Sequence, residues 1–452
     1  MKAIISAYLK KQICLFGNMN ILFDGKNTAG RTSDSLGWHS TLLSISFNQD
    51  ASCFATGLRN RSCVYGCKPF KRHEFAADGG IGAMAMLYRT NLLAMVGGGD
   101  TPAFSPRRLR LVNTTSRTAL CELQFETTVL SIKMNRERLV IALQNKIHIF
   151  DLDSMNALHM LSTPPNSAGL ISLQATAGSQ SDSCFLAFPG GTTKGEVVFF
   201  DVRSLKAVQL FQAHQHPLVA MEFNASGTAI ATASTEGTIV RVFKVPSGER
   251  LYAFRRGSRK GVIRCLSFDI SGQFLSAGSA SGTIHFYNCG GNDHDASAAK
   301  SNEYQNVARD SGRGGGDGAS SAGLYGSFSS AHSEDGTNLS NGASKSQAAS
   351  SSKQSYLASF GSMVGTFIPE SVDTTRSFAQ VRLGEGSESV AAYLCAIMAG
   401  DAKDSKFFVT VVSVSGIFSL YSVDKTTGET RLEEENALFE SQSEVVSTKK
   451  SY

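Results

Sequence analysis

The sequence predicts an all-β protein, a seven-bladed β-propeller with a long disordered insertion in blade six, and three observations carry that prediction. The segments VAMEFNASGTAIATAS (219–234) and IRCLSFDISGQFLSAGS (263–279) share one plan: a β-rich run ending in Phe, a polar turn containing Ser-Gly, and a second run ending in small residues. Their phenylalanines, Phe223 and Phe268, lie about 45 residues apart, the period of a propeller blade. Short runs rich in Val, Ile, Phe and Thr, punctuated by Gly, Asn, Asp and Ser every 8 to 12 residues or so, are the all-β signal, and radial repetition protects the strand edges.

Taken in order, residues 1–37 are expected to be a disordered extension, since the apolar stretch of MKAIISAYLKKQ is too short and too broken by Ser6 and Lys10 for a signal peptide. The propeller is expected over 38–425. One run marks each blade: LLSISFNQDASCFATG at Phe47, AMAMLYRTNLLAMVG near Leu87, LSIKMNRERLVIAL at Met134, ISLQATAG with CFLAFPG near Leu173, the two segments above, and AAYLCAIMAG near Ile397. EGTIVRVF (236–243) and SGTIHFY (281–287) are partner strands, each opening on Gly-Thr. VGGGD (96–100) lacks the Lys-Ser/Thr of a phosphate loop and reads as a tight turn.

Blade six is interrupted. Residues 290–355 are dominated by Ser, Gly, Ala, Asn and Asp, a composition that buries too little apolar surface to offset the entropy of ordering. In the candidate membrane-contacting segment 356–368, Tyr356, Phe360, Met363, Val364 and Phe367 recur at helical spacing before Pro369. Gly361 and Gly365 would each cost that helix about 1 kcal/mol, so it should form on contact with an apolar surface, either a membrane or the propeller wall. The blade's outer strand is expected to return as SFAQVRL (377–383), and 426–452 reads as a polar C-terminal tail.

The formal charge of +5 is too small for a general nucleic-acid binder, and no nucleic acid is expected. The charge is focal: Arg241, Lys244, Arg250, Arg255, Arg256, Arg259 and Lys260 face only Glu249. No apolar run reaches the length of a spanning helix, so any membrane contact is peripheral. Nine scattered cysteines fit reduced thiols of the cytosol, and Cys63, Cys67 and His73 lack the second ligand pair of a zinc site. No cofactor or metal is expected, and no ordered nucleophile, base and orienting group points to an enzyme.

The stretch LYAFRRGSRK (251–260) sets two arginines side by side at the end of a predicted strand. Successive strand side chains point to opposite faces, so Leu251, Ala253 and Arg255 share one side and Tyr252, Phe254 and Arg256 the other. Both faces of a blade meet a neighbour, so the two arginines should emerge into two different inter-blade clefts. Gly257 ends the strand and lets an anion approach the backbone. Arginine suits phosphate because its planar fork donates paired hydrogen bonds.

FRRG on the outer side of a fifth blade resembles the signature of the PROPPINs, seven-bladed propellers related to WD repeats. The resemblance covers most of the chain, through SISFNQD, SPRRL (105–109), MNRERLV (134–140), TPPNSAGL (163–170), AHQHPL (213–218), SGTAIATASTEGTIVRVF and SFAQVRL in order. It implies binding of phosphatidylinositol 3-phosphate and 3,5-bisphosphate in autophagy, and recruitment of a lipid-transfer or conjugation-machinery protein. It places the chain in the cytoplasm, peripheral on preautophagosomal, endosomal or vacuolar/lysosomal membranes. By matching positions, it implies one lipid site at His214, Ser234, Thr238 and Arg255 and a second at Arg256, Ser279, Thr283 and His285. Arg259 and Lys260 would add diffuse attraction of about 1 kcal/mol each near an anionic surface. SPRRL is either a partner surface or a basic blade edge. The alternative function is a protein-interaction propeller without lipid specificity.

Overall fold

The computed structural model describes residues 20–22, 42–76, 78–175, 183–290, 374–384, 392–400 and 404–439. The insertion 291–355, the segment 356–368 with its five apolar residues, and most of 1–37 lie outside the described residues. Seven antiparallel sheets follow one another along the chain. Blade one runs from Leu42–Phe47 to Phe70–Ala76, blade two from Ile81–Met86 to Thr118–Gln124, blade three from Ser131–Met134 to Ala157–Ser162, and blade four from Ser172–Leu173 to Lys206–His214. Blade five comprises Leu218–Phe223, Ala229–Ser234, Ile239–Lys244 and Arg250–Arg255; blade six comprises Ile263–Phe268, Phe274–Ser279, Thr283–Asn288 and Ala379–Arg382; blade seven runs from Tyr393–Met398 to Thr430–Ala437. First strands of neighbouring blades pack against one another, so they ring the axis and the fourth strands form the rim.

In blades one, five and six the second strands CFATGL, AIATAS and FLSAGS, all buried, are rich in small residues that let neighbouring blades approach. At Gly57 a Cβ would stand 2.1 Å from the Ile81 carbonyl oxygen of the next blade. Blades one, five and six are also punctuated alike. Asn48, Asn224 and Asp269, just after their inner strands, accept the backbone N–H of Cys53, Ala229 and Phe274 at 3.0, 3.0 and 2.7 Å. The turn between is possible because Gly227 and Gly272 adopt φ of +71° and +73°.

Aromatic rings weld the blades together: Phe211 to Phe243 across blades four and five, Phe274 to Phe407 across six and seven, and Phe54 and Phe70 to Phe418 across one and seven. Among the described residues no strand is exchanged between the last blade and the first. The ring closes through side chains and single hydrogen bonds, such as Tyr65 Oη to Leu438 O at 3.0 Å. Around the axis, Gln49 donates to Met86 O and Met134 O at 2.8 Å each, tying three blades. Lys133 and Glu222 are buried together there, and burial pushes the Glu222 carboxyl up to about 8 against the pull of Lys133.

Two expectations are corrected, and one further strand is found. Residues 426–452 are not wholly tail: Thr430–Ala437 is the outer strand of blade seven, its polar sequence reflecting a strand with solvent on much of its surface. The 1–37 extension is not wholly without structure, since Asn20–Leu22 pairs antiparallel with Leu42–Phe47, whose inner edge is otherwise open. Blade five gains a fifth strand, Thr375–Arg376, which pairs in parallel with Phe254 and Arg255 before the chain supplies the outer strand of blade six.

Candidate functional site

The outer strand of blade five sorts its side chains as alternation requires. Tyr252 and Phe254 turn to blade six: their rings stack at 5.5 Å, Phe254 stacks on Tyr287 at 4.6 Å, and the Tyr252 hydroxyl donates to the Cys289 carbonyl. Arg256 continues that face. The opposite face carries Ala253 and Arg255, which lie beside Arg241 and Ile239 in register, and Arg241 meets His214 of blade four. The adjacent arginines thus lie on opposite faces of blade five.

In the cleft between blades five and six, Arg256 is half-buried, with its Nε donating to Gly237 O at 2.8 Å and another nitrogen to Arg259 O. Its backbone N–H donates to Thr238 O at 2.8 Å. His285 is buried, its Nδ1 lies 3.3 Å from Ser377 Oγ, and its ring stacks on Tyr287. Burial first, and the Arg256 charge second, push the imidazole down to about 4. His285 therefore works at neutral pH as a hydrogen-bonding group, and Arg256 supplies the charge. Ser279 and Thr283 bracket the turn leading to His285; Ser279 Oγ pairs with Ser281 Oγ at 3.0 Å, and Thr283 is half-buried opposite Arg382. The fully buried Tyr287 hydroxyl has no partner among the described residues.

On the other face, Arg255 is exposed and its Nε donates to Thr374 Oγ1 at 3.3 Å, with Arg376 beside it in register. His214 is buried with both nitrogens engaged: Nδ1 accepts from Arg241 at 2.8 Å, and Nε2 lies 2.9 Å from Thr232 Oγ1. Burial, then Arg241, pushes this imidazole down to about 3. Ser234 is buried at the end of its strand, and Thr238, half-buried, gives its carbonyl to Arg256. The hydrogen bonds of Arg255 and His214 thus go to different partners, and Arg241 stands on the face they share.

Sequence reasoning counted Arg241 among the basic residues but gave it no role; its spacing of two from Ile239 and Phe243 on the Arg255 face was the available signal. Thr374, Arg376 and Ser377 reach the site from beyond the insertion, and no local pattern announces that. Lys260 pairs with Glu236 at 2.7 Å, which His216 also approaches, so its charge is partly balanced; Arg259 is exposed. A Cβ built on Gly257 meets no atom within 4 Å. The fold does not demand glycine there, and the space above it is room for a ligand.

A family model described as PROPPIN matches residues 41–296. The chain is 38% identical over 260 residues to autophagy-related protein 18 of Yarrowia lipolytica, covering 54% of this chain and 65% of that protein. It is 30% identical over 429 residues to that of Emericella nidulans, covering 86% and 94%. Against the Yarrowia lipolytica, Mycosarcoma maydis and Komagataella pastoris proteins, the match spans 65%, 58% and 52% of their length. Among solved structures, Kluyveromyces lactis Hsv2 superposes with a TM-score of 0.58 at 16% identity, covering 87% of this chain and 98% of that one. KlAtg21, solved in complex with the coiled-coil of AgAtg16, gives 0.58 at 20% identity, with 87% and 98% covered; both likenesses concern the fold. No helix among the described residues is long and apolar enough to cross a membrane. The rim that sets two neighbouring arginines on opposite faces of one blade lies inside a family model spanning more than half of the chain, and the chain belongs to the PROPPIN family.

Proposed function

We propose that this propeller is a non-catalytic peripheral membrane scaffold of autophagy that binds phosphatidylinositol 3-phosphate and 3,5-bisphosphate at its blade-five and blade-six rim. The observation that carries the reading is the placement of Arg255 and Arg256 on opposite faces of blade five, each face bordered by a buried imidazole held neutral beside a guanidinium. In the blade-six cleft Arg256 takes the phosphate charge, with His285, Thr283 and Ser279 orienting its oxygens. In the other cleft Arg255 and Arg241 take the charge, and His214, Ser234 and Thr238 complete the wall. The open space at Gly257 admits the inositol ring. Arg259 and Lys260 attract anionic lipid from a distance.

Two shallow sites on one rim act by avidity, since occupation of one raises the effective concentration of headgroup at the other. The reading assigns the apolar term of docking to Tyr356, Phe360, Met363, Val364 and Phe367. Once docked, the scaffold recruits a lipid-transfer or conjugation-machinery protein. KlAtg21, solved with a coiled-coil partner, supports that adaptor role.

Flotation with phosphatidylcholine vesicles with and without phosphatidylinositol 3-phosphate tests the reading. Arg255→Thr with Arg256→Thr should abolish lipid-dependent flotation, and each single variant should lose much of it. Phe360→Asp with Phe367→Asp should impair flotation but spare a soluble short-chain phosphoinositide. Undiminished flotation of a folded double arginine variant would overturn the lipid sites and leave a protein-interaction scaffold.

A further inference from the structure

A second basic cleft lies in the early blades, between blades one and two. The outer strand of blade one, Phe70–Ala76, pairs Lys71 with Gly66 and His73 with Val64, and Val64 packs against the apolar cluster shared with blade two. Lys71 and His73 therefore face blade two. Arg72 and Glu74 also border the cleft, but alternation turns their side chains toward the other face, and the carboxylate of Glu74, the one acid on this strand, is neutralised by Arg61 and Arg72. Across the gap, blade two contributes Arg89 from its first turn and Arg117 from its outer hairpin, with the hydroxyls of Thr90 and Thr115. These groups line a cleft of about 700 Å³, in the size range of small-molecule sites. Among the described residues, no carboxylate pairs with Lys71, Arg89 or Arg117. Arg89 also lies close enough to the Cys53 thiol on the cleft floor to offset part of the upward push of burial on its pKa, which places its charge inside.

The backbone adds an independent observation. Arg117 occupies the left-handed position of its hairpin, φ +54°, where blades five and seven use Gly248 and Gly428. Met155 and Leu205 hold the same position in blades three and four, but both are pinned by apolar packing. Arg117 is exposed and has no such packing to offset the strain. Tyr88, φ +48°, is a second non-glycine residue in this conformation on the same cleft wall. Residues held this way cluster at ligand sites.

We propose that the cleft between blades one and two is an anion site for a phosphate ester of the inositol phosphate type, with Lys71, Arg89 and Arg117 carrying the charge and His73, Thr90 and Thr115 donating to its oxygens. Three cations with no carboxylate partner among the described residues, together with a histidine and hydroxyls between two blades, carry more positive charge than the single guanidinium of the Arg256 cleft; the site is separate from that cleft and does not rest on the reading of the blade-five rim.

The test uses the full chain with Arg255→Thr and Arg256→Thr, which removes the two rim arginines. Isothermal titration with inositol hexakisphosphate should show one saturable site. Adding Lys71→Ala, Arg89→Ala and Arg117→Gly should weaken it by about tenfold or more. The melting temperature should be unchanged or higher, because glycine relieves the left-handed backbone. Pelleting with phosphatidylcholine vesicles carrying phosphatidylinositol 3-phosphate, if sensitive to the same three substitutions, identifies a lipid headgroup as the source; titration without pelleting identifies a soluble ester. Absence of saturable binding, equal affinity after the three substitutions, or a polyglutamate peptide replacing the phosphate probe with the same sensitivity would overturn the proposal.

Discussion

Acidification should unfasten the blade-six side of the rim, and His285 sets the size of the effect. Its imidazole is held at about 4, against 6.5 for an unburied histidine, by burial and then by Arg256. A base whose pKa is lowered by folding binds more protons when unfolded, so its contribution to stability is full above 6.5 and is lost as pH falls toward 4. At about pH 5 the unfolded histidine is largely protonated and the folded one largely neutral, which costs about 2 kcal/mol. Glu222 has the opposite sign: its carboxyl is raised to about 8, so its burial becomes less costly as pH falls below that. His285→Gln keeps a polar side chain but cannot titrate, so comparison with the wild type cancels Glu222. Urea unfolding of both proteins at about pH 7.5 and pH 5 should show the wild type losing about 2 kcal/mol more than the variant. Parallel losses in the two proteins would refute the claim that the folded site keeps His285 neutral.

The neighbouring arginines should differ in structural weight. Arg256→Thr removes side-chain hydrogen bonds to Gly237 O and Arg259 O and should cost about 1 to 3 kcal/mol in denaturant, whereas exposed Arg255→Thr should stay within about 0.5 kcal/mol; equal costs would count against the two-face assignment. Tyr287→Phe deletes a buried hydroxyl that has no partner among the described residues and should raise stability by about 1 kcal/mol; a loss of that size would show that the hydroxyl is satisfied. Gly57→Ala drives a methyl against the Ile81 carbonyl and should cost more than about 2 kcal/mol, visible as a lowered melting temperature; wild-type melting would show that the wedge between blades one and two is slack.

The propeller was legible because its repeats are physical. Phe223 and Phe268 end inner strands, the polar residues after them cap the following strand, and Gly227 and Gly272 sit at matching left-handed turns. Such features depend on neighbours a few residues away. Thr375–Arg376 on blade five was not legible, because its pairing spans the insertion and two residues carry no periodicity. Thr430–Ala437 was read as tail because a rim strand with solvent on much of its surface has little apolar alternation to display. At the site, strand alternation sufficed to set Arg255 and Arg256 on opposite faces of blade five. The commitment of His214 to Arg241 and Thr232 depends on contacts between a strand of blade four and strands of blade five, which sequence distance hides.

The closure of the ring by side chains rather than by a shared strand bears on how the chain is made. Blade one is complete at Ala76, yet the rings of Phe54, Tyr65 and Phe70 find their cover only when Phe418 and Leu438 arrive, more than 300 residues later. At ribosomal rates of about 5 to 20 residues per second, that face stays uncovered on the order of 20 to 70 seconds. During that interval the nascent chain presents an aromatic surface with a strand edge beside it, the kind of surface that holding chaperones bind and that misassembles between neighbouring chains. The last blade is thus the lid on the first, and damage to it should appear as poor yield before it appears as lost binding.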